Sequence, residues 1–247
     1  MALHNTPSTM IRYIPPEWAR KFLKHVPEHR LNLANLPTPL YTIQTNVRHD
    51  GTDDIDSMGG NHSILEKLKE LNITLLMKRD DMTAGVELGG NKIRKLEFLL
   101  ADALHNDFNA VVTIGGEQSN HCRATAAACR MVGLEPHLIL RTKRANQVEE
   151  DREKGEDTFG YTGNILFDRM TGANIYTCTP GEYGRIGSNE LVKKVCADIE
   201  SKSSKKVYPI PVGKIGYTMV FFFHVMGKLF ISTSPRSYHF NCFKKKS

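Results

Sequence analysis

The 247-residue sequence is poor in cysteine, and no two of its five cysteines form a C-x-x-C pair. They lie far apart, at Cys122, Cys129, Cys178, Cys196 and Cys242. An odd number of scattered cysteines fits a reducing compartment better than a disulfide framework. With 40% apolar and 24% charged residues the chain can bury a core without disulfides, which excludes a stapled mini-protein and a chain disordered throughout. We therefore predict a cytoplasmic protein, and the mitochondrion stays open as an alternative.

Long apolar runs are lacking as well. The first thirty residues have no apolar h-region and contain Glu17 and Glu28 among their cations, so the sequence predicts neither a secretory signal nor a transit peptide. The most apolar stretch, residues 215–231, is interrupted by His224 and Lys228. It falls short of the roughly 20 apolar residues that a spanning helix needs. We therefore expect no membrane partner.

Acidic residues are missing from residues 214–247, which carry six lysines and arginines. This tail accounts for the whole formal charge of +6, because the other 27 cations face 27 anions. The body thus lacks the basic surface that nucleic-acid binding requires, and any phosphate binding in it must be local. A short charge run such as Lys244–Lys246 is usually just solvated, so we expect no nucleic-acid partner.

Motifs for several common chemistries are also missing. The ten histidines form no H-E-x-x-H motif and no Cys/His quartet at zinc spacing, so no metal site is predicted. The sequence has no Gly-Lys-Ser/Thr P-loop. Gly115-Gly116 lacks the third glycine of a dinucleotide fingerprint, which leaves NAD binding supported only by analogy of fold.

Strand and helix patterns alternate along most of the chain. Apolar runs predict strands at 73–78, 110–114, 137–140, 173–177 and 207–212, and the first of these is expected to be a buried strand. Helical spacing predicts helices at 92–105, 119–132, 164–171 and around 191–199. Residues 48–61 and 141–160 are predicted as loops, the second with a frayed helix as the alternative. The alternation implies an α/β fold of open parallel sheets with helices on both faces, and two prolines place 207–212 at a sheet edge.

Ligands of open parallel sheets bind where strands lead into helices, and two such loops are candidate sites. The first, residues 87–95, has two glycines followed by the cations Lys92, Arg94 and Lys95 in the first turn of a helix. The positive end of a helix opposes each cation by roughly 0.3 to 1 kcal/mol, which a bound phosphate would offset. The same field favours the unprotonated amine and makes Lys92 a candidate imine-forming lysine. A solvated basic helix start is the alternative.

The second loop, residues 113–123, has two glycines followed by a run of polar side chains. These are Gln118, Ser119, Asn120 and His121. Backbone N–H groups at the start of the next helix would suit a substrate carboxylate. Ser119 and Asn120 are also good N-cap residues, so a structural role is the alternative for them, and it is the expected role of His121 and Cys122.

Several motifs occur together in one order. The longest are K-R-D-D at Lys78–Asp81, G-N-K-I-R-K-L-E at Gly90–Glu97 and I-G-G-E-Q-S-N-H-C-R-A-T-A at Ile114–Ala126. Shorter ones are Leu36–Leu40, His137–Arg141, Gly163–Leu166 and Tyr208–Gly213. With these motifs, residues 30–213 resemble the D-cysteine desulfhydrase and 1-aminocyclopropane-1-carboxylate deaminase group of pyridoxal-phosphate enzymes, and the desulfhydrase is the closer likeness.

The resemblance implies a tryptophan-synthase-β-like fold (fold type II) with the cofactor between two domains. Residues 1–106 would form an N-terminal arm and the first part of the large domain, 107–206 the smaller open α/β domain, and 207–213 the return strand to the large domain. Nothing after Gly213 resembles the rest of the family's large domain, with its phosphate loop and catalytic tyrosines. We therefore expect that part to be missing and 214–247 to be a divergent basic, Phe-rich tail.

The resemblance also implies roles for single residues. Lys92 would hold pyridoxal 5'-phosphate as an imine, Asn120 would contact its ring, and Asn91 and Lys95 would lie on the cofactor side. The implied substrate-binding residues are Gln118, Ser119 and Asn120. The implied catalytic residues are Lys92 and Ser119.

The implied reaction converts D-cysteine to pyruvate, hydrogen sulfide and ammonia, and 1-aminocyclopropane-1-carboxylate is the alternative substrate. Full-length members of the family are expected to be homodimers. A non-catalytic chain that associates with a full-length partner is the alternative function, because the expected large domain is incomplete.

Overall fold

The structure is a computed structural model that describes residues 10–22, 26–42, 71 and 76–210. The predicted loop at 48–61, the apolar stretch 215–231 and the tail with Cys242 lie outside the described residues.

The N-terminal part contains two antiparallel pairs of short strands. Strand β1 (Met10–Arg12) pairs with β2 (His29–Leu31), and helix α1 (Glu17–Phe22) lies between them in sequence. Strand β3 (Leu40–Thr42) pairs with β4 (Leu76–Lys78), and a 3-10 helix follows at Asp80–Thr83.

The prediction of a buried strand at 73–78 is wrong for its described part, β4. Leu76 and Met77 are 40% and 44% exposed, and Leu40 and Tyr41 on the paired strand are exposed as well. Neighbouring residues of a strand point to opposite faces, so this two-stranded pair exposes apolar side chains on both of its faces. The apolar run therefore predicted the strand correctly but not its environment.

A four-stranded parallel sheet forms the centre of the described structure, in the order β7-β6-β5-β8. Its strands are β5 (Ala110–Gly116), β6 (Glu135–Arg141), β7 (Asn174–Cys178) and β8 (Val207–Ile210). The predicted edge position of the last strand is confirmed, because within the described residues β8 pairs only with β5. A proline such as Pro209 is tolerated at an edge, where one side of the strand needs no backbone donors.

Strand β8 joins the central sheet, where Val207–Ile210 align with Ala110–Thr113 of β5. The parallel ladder to β5 and the packing of Tyr208 and Ile210 against the same core hold the strand there. The expected domain boundaries, including the return of residues 207–213 to the large domain, stay a prediction.

Helices cover both faces of this sheet, as predicted. Helices α2 (Lys92–His105), α3 (Asn120–Met131), α4 (Ala145–Glu153) and α5 (Asn164–Met170) precede α6 (Pro180–Ile186) and α7 (Ser188–Lys202) in the chain. Val111 packs with α2 and α3 on one face, whereas Val112 and Ile114 pack with α7 on the other. The alternation of side chains along β5 therefore fills two cores.

Two helices differ from the sequence prediction. Residues 145–153 form α4 within the stretch predicted as a loop or frayed helix. Helix α6 was not predicted, because Pro180 and two glycines weaken its helical pattern. It is instead stabilised by a capping box, in which the Thr179 hydroxyl accepts from the Glu182 backbone N–H and the Glu182 carboxylate accepts from the Thr179 backbone N–H.

The N-terminal arm is held on α2 by a buried carboxylate. Glu97 is 1% exposed and accepts hydrogen bonds of 2.9 Å from the backbone N–H groups of Leu33 and Ala34. The Arg30 guanidinium lies 3.0 Å from its other oxygen. Burial raises the pKa of Glu97, while these hydrogen bonds and the charge of Arg30 oppose the rise. The arm therefore supplies the partners that make a buried acid acceptable inside the core.

A second buried acid, Asp168 of α5, lacks such partners. It is 0% exposed, and among the described residues neither of its carboxylate oxygens has a hydrogen-bond partner. Burial raises the pKa of Asp168 to about 7, and the positive charge of Arg123 opposes part of the rise. Each pKa unit corresponds to about 1.4 kcal/mol. Ionising Asp168 therefore costs on the order of 4 kcal/mol more in the folded chain than in the unfolded chain.

This buried acid predicts a pH dependence of stability. The folded chain keeps the Asp168 proton up to about pH 7, whereas the unfolded chain loses it near the ordinary value of 3.8. The free energy of unfolding therefore falls as the pH rises from about 4 to about 7, and above this interval it stays lower by the whole ionisation cost of Asp168. Asp168→Asn should be more stable than the parent chain at pH 8 and nearly equal at pH 4, measured as the free energy of unfolding in urea.

The matched control is Asp107→Asn, at an exposed turn where φ is 56° and asparagine is well tolerated. Its difference from the parent chain should not change with pH. An Asp168→Asn difference that is equally flat between pH 4 and pH 8 would contradict the burial of an ionisable acid at this position.

Candidate functional site

The turn from β5 into α3 depends on a close approach that only glycine permits. Ser119 caps α3 by accepting a hydrogen bond of 3.2 Å from the Cys122 backbone N–H. A Cβ atom on Gly115 would lie 2.5 Å from Ser119 Oγ and 2.6 Å from Cys122 Sγ. A Cβ atom on the neighbouring Gly116 would meet open space. Gly115 thus fixes the turn, and Gly116 leaves room beside it.

Ser119 is the N-cap residue of α3, which is the structural alternative that its residue type allowed. Its hydroxyl can also donate a hydrogen bond. The cap uses a lone pair of the hydroxyl oxygen, and the hydroxyl also lies within hydrogen-bond reach of the Cys122 thiol, so its hydrogen can be directed at that sulfur or at a ligand. Ser119 is half-buried, and Asn120 follows as the exposed first residue of α3.

The start of α2 carries the three predicted cations, and one of them is neutralised within the protein. Arg94 is 7% exposed and donates a hydrogen bond of 2.7 Å to the Asp80 carboxylate and one of 3.0 Å to Thr38 Oγ1. Asp80 therefore offsets the cost of this cation at the positive end of the helix, and a bound phosphate is not needed for it. The pairing could not be foreseen from the charge count of the loop.

The other two cations differ from Arg94. Lys92 and Lys95 are half-buried, and within the described residues no carboxylate forms an ion pair with Lys92. Burial lowers the pKa of Lys95, and the positive charge of Lys92 lowers it further. Asn91 precedes them at the N-cap position, where its exposed side chain makes no cap hydrogen bond. The first turn of α2 therefore presents two cations besides Arg94, and Lys92 is the one for which no carboxylate partner lies within the described residues.

His121 shows that the two predicted loops converge. Burial lowers the pKa of His121 to about 4, and the positive charges of Lys92 and Lys95 add to this effect. His121 is therefore neutral at pH 7. Its Nε2 lies 3.1 Å from Thr113 Oγ1, and that hydroxyl donates its hydrogen to the Ile210 carbonyl oxygen at 3.0 Å. The imidazole must then donate from Nε2, which ties α3 to the ends of β5 and β8.

Cys122 has the structural role that was expected. The residue is buried, and burial raises the pKa of its thiol to about 12. A thiol that stays protonated at pH 7 is a poor nucleophile.

Gln118 is engaged within the protein. Its Oε1 accepts a hydrogen bond of 2.8 Å from the Asn164 backbone N–H, and its Nε2 donates one of 3.1 Å to the Thr162 carbonyl oxygen. The side chain therefore satisfies a backbone donor at the start of α5. Its predicted role in substrate binding stays a prediction.

Asn164 and Arg123 are site residues that the sequence prediction missed. Asn164 is 8% exposed, and its Nδ2 donates to the Gln118 carbonyl oxygen at 2.9 Å and to Asn120 Oδ1 at 3.1 Å. Arg123 Nη1 donates to Asn164 Oδ1 at 2.9 Å. Asn164 belongs to the motif at Gly163–Leu166. Only the fold shows that its side chain contacts Asn120, which lies 44 residues earlier in the chain.

The donor set defines what the site can accept. Lys92 and Lys95 supply amines near His121, while Ser119 supplies a hydroxyl and Asn120 an amide at the start of α3, beside the open space at Gly116. A small anion that carries a carbonyl group matches this set, because an amine condenses with a carbonyl and cations attract the anion. In the part of the chain that the structure describes, no group of three or more His, Cys, Asp or Glu side chains is arranged to hold a metal ion. No helix of the described ranges is long and apolar enough to cross a membrane.

Comparison with known proteins agrees with this donor set. The family model described as "Pyridoxal-phosphate dependent enzyme" matches residues 60–222. The bifunctional D-cysteine desulfhydrase/1-aminocyclopropane-1-carboxylate deaminase, mitochondrial, of Arabidopsis thaliana is 41% identical over 201 residues, which are 81% of this chain and 42% of that protein. A putative 1-aminocyclopropane-1-carboxylate deaminase of Thermotoga maritima is 42% identical over 150 residues, 60% of this chain and 42% of its own length.

A solved structure shows the same fold. The crystal structure described as that of the ACC deaminase homologue superposes with a TM-score of 0.58 at 24% identity, covering 83% of this chain and 51% of that one. The family resemblance read from the motifs and the predicted fold class, the fold type II arrangement, are thereby confirmed. The chain spans about half the length of the relatives it matches.

Substitution by alanine should have different effects on stability at the two adjacent glycines, Gly115 and Gly116. Gly115→Ala should lower the free energy of unfolding by about 1 to 3 kcal/mol, because its methyl group overlaps the Ser119 cap. Gly116→Ala is the matched control and should leave stability within about 0.5 kcal/mol, because its methyl group meets open space. Urea unfolding of the two variants measures both values, and equal losses would contradict the close approach at Gly115.

Proposed function

Since the chain belongs to the family of pyridoxal-phosphate dependent enzymes, we propose that it acts as a lyase on a small amino acid, as D-cysteine desulfhydrases do. The observation that carries this proposal is the half-buried amine of Lys92, which has no described carboxylate partner and lies near the start of α3. The names of the relatives support the substrate class. Because the chain covers 42% of those relatives, the activity is a proposal for this chain.

The residues present fit pyridoxal 5'-phosphate in their chemistry. When bound, the cofactor supplies an aldehyde that condenses with an amine and a ring that withdraws electrons from the substrate's α-carbon. Lys92 would provide the amine, and Lys95 with the α2 N-terminus would attract the phosphate. Asn120 would face the ring, and Asn91 would line the same side. The open space at Gly90 and Gly116 fits a ligand that approaches the backbone closely.

The start of α3 would bind the substrate. Its first backbone N–H groups and the hydroxyl hydrogen of Ser119 would donate to the substrate carboxylate, which the positive end of the helix also attracts. The cap holds Ser119 Oγ in place, so the position of the hydroxyl oxygen is fixed before the substrate arrives. Gln118 and Asn120 would line this carboxylate site.

The amine of Lys92 would move the proton at the substrate's α-carbon. Within the described residues no carboxylate forms an ion pair with this amine. His121 is not a candidate base, because its pKa of about 4 reflects burial and its Nε2 is occupied by Thr113. With D-cysteine and one water, the balanced products are pyruvate, hydrogen sulfide and ammonia. With 1-aminocyclopropane-1-carboxylate, the alternative substrate, and one water, the balanced products are 2-oxobutanoate and ammonia.

The cellular setting follows as part of the same proposal. The described cysteines are all unpaired, as in a reducing compartment. We keep the cytoplasm as the proposed compartment with the mitochondrion as the alternative, and the Arabidopsis relative carries the word mitochondrial in its name. A homodimer is proposed for the full-length members of the family.

A non-catalytic chain that associates with a longer family member is the second candidate function. It is favoured by the apolar side chains that the β3–β4 pair exposes: the paired residues Tyr41 and Met77 on one face, and Leu40 and Leu76 on the other. Neighbouring exposed apolar side chains, such as Tyr41 and Met77, are typical of surfaces that bind another protein. Sedimentation of the purified chain with and without a longer family member, together with assays of sulfide release, separates this candidate from the first.

Replacement of Lys92 tests the lyase proposal. Pyridoxal 5'-phosphate mixed with the parent chain should give a new visible absorption band, and Lys92→Ala should abolish that band because the condensing amine is lost. Sulfide and pyruvate released from D-cysteine, and ammonia released from 1-aminocyclopropane-1-carboxylate, should fall at least about 100-fold.

Two control variants make this test specific. Lys95→Ala should keep the band but weaken cofactor affinity about tenfold, because it removes an attractive charge next to the amine. Lys193→Ala, an exposed lysine of α7, should change nothing. A band that survives Lys92→Ala would reject Lys92 as the amine.

A further inference from the structure

We propose that Asn164 is a positioning residue that sets the side-chain amide of Asn120, so that the NH2 group of Asn120 faces the ligand site and its oxygen does not. The proposal rests on the proposed function for the identity of the ligand. The orientation of the amide is a property of the protein alone and can be tested without any ligand.

The orientation of the Asn164 amide is fixed from both of its ends. Arg123 Nη1 can only donate, so the Asn164 atom that lies 2.9 Å from it must be the oxygen Oδ1. The Gln118 carbonyl oxygen can only accept, so the atom that lies 2.9 Å from it must be the nitrogen Nδ2. The two ends agree, and a flipped amide would lose both hydrogen bonds.

The orientation of the Asn120 amide follows from that of Asn164. Asn164 Nδ2 has two hydrogens, one for the Gln118 carbonyl oxygen and one directed at Asn120, at 3.1 Å. The Asn120 atom at this distance must therefore be an acceptor, its Oδ1. The oxygen of Asn120 is thus engaged within the protein, and its NH2 group is the end left for a ligand.

Burial makes this arrangement stiff. Asn164 is 8% exposed, and its backbone N–H is also bonded, to Gln118 Oε1 at 2.8 Å. Arg123 packs against α5, with its guanidinium 6.0 Å from the centre of the Phe167 ring. A buried amide whose bonds are all satisfied loses several of them if it rotates, and leaving buried polar groups unpaired is costly. The side-chain amide of Asn120 is therefore oriented before a ligand binds, with its oxygen bonded to Asn164 and its NH2 group available to the ligand.

The chosen direction defines the ligand atom that Asn120 recognises. An NH2 group donates, so it selects an oxygen acceptor and disfavours a donor. In the site described above, such an acceptor would be an anionic oxygen of the cofactor ring or of the substrate carboxylate. A flipped Asn120 would instead place its carbonyl oxygen against that anion and repel it.

Asn164→Asp tests the proposal, because it keeps the shape of the side chain and replaces the donor by an acceptor. It should weaken the affinity for pyridoxal 5'-phosphate about tenfold, as coupled neighbours typically do. In an Asn120→Ala background the same substitution should have no further effect on affinity, since the amide to be oriented is gone. The affinity is read from the absorption titration of the cofactor.

The matched control is Asn174→Asp on β7. Asn174 also donates from Nδ2, to Glu135 at 2.9 Å, but it lies away from the site. It should leave cofactor affinity unchanged in both backgrounds. If Asn164→Asp weakens affinity equally with and without Asn120, the residue acts only through folding, and the positioning role is wrong.

Hydrogen exchange in the cofactor-free chain decides the orientation independently. In ¹⁵N-labelled protein, the NH2 signals of Asn164 should exchange slowly, because both hydrogens are bonded and buried, and those of Asn120 should exchange fast. Slow exchange at Asn120 with fast exchange at Asn164 would overturn the proposal. Failure of the parent chain to bind pyridoxal 5'-phosphate would instead sink the proposed function, and the exchange rates would still decide the role of Asn164.

Discussion

The ion pair between Arg94 and Asp80 is the interaction on which the site depends most. It places a buried cation in the first turn of α2, where the helix field opposes it, and joins that turn to the 3-10 helix and, through Thr38, to the N-terminal arm. Breaking a buried pair typically costs about 3 to 5 kcal/mol, so the turn is held firmly. Lys92 and Lys95 lie on the same turn of α2, so the Arg94–Asp80 pair also fixes the backbone that carries their amines.

A second constraint brings α3 to the same place. The close approach at Gly115 lets Ser119 cap the helix, and Asn164 ties the residues around that cap to α5. The pKa of His121 is lowered by burial and by the positive charges of Lys92 and Lys95. The start of α3 therefore lies near the start of α2. The site thus combines amines from α2 with hydrogen-bond donors from α3. The Arg94–Asp80 pair fixes the start of α2, and the Ser119 cap fixes the start of α3.

Local patterns explain how much the sequence predicted. The bounds of α2, the Ser119 cap and the parallel strands follow from helical spacing, from residue types and from apolar runs, which all act within a few residues. The pairing of Arg94 with Asp80, the exposure of β4 and the place of β8 in the central sheet depend on contacts across the fold. The role of Asn164 depends on such contacts too, so its motif marked the position without indicating what the side chain does.

Chemical trapping of the cofactor on the protein tests the central claim most directly. The chain is mixed with pyridoxal 5'-phosphate, reduced with borohydride and digested, and the peptides are mapped by mass spectrometry. We expect the pyridoxyl group on Lys92, in the first turn of α2. A label on Lys95 or another lysine, or no label at all, would contradict the account.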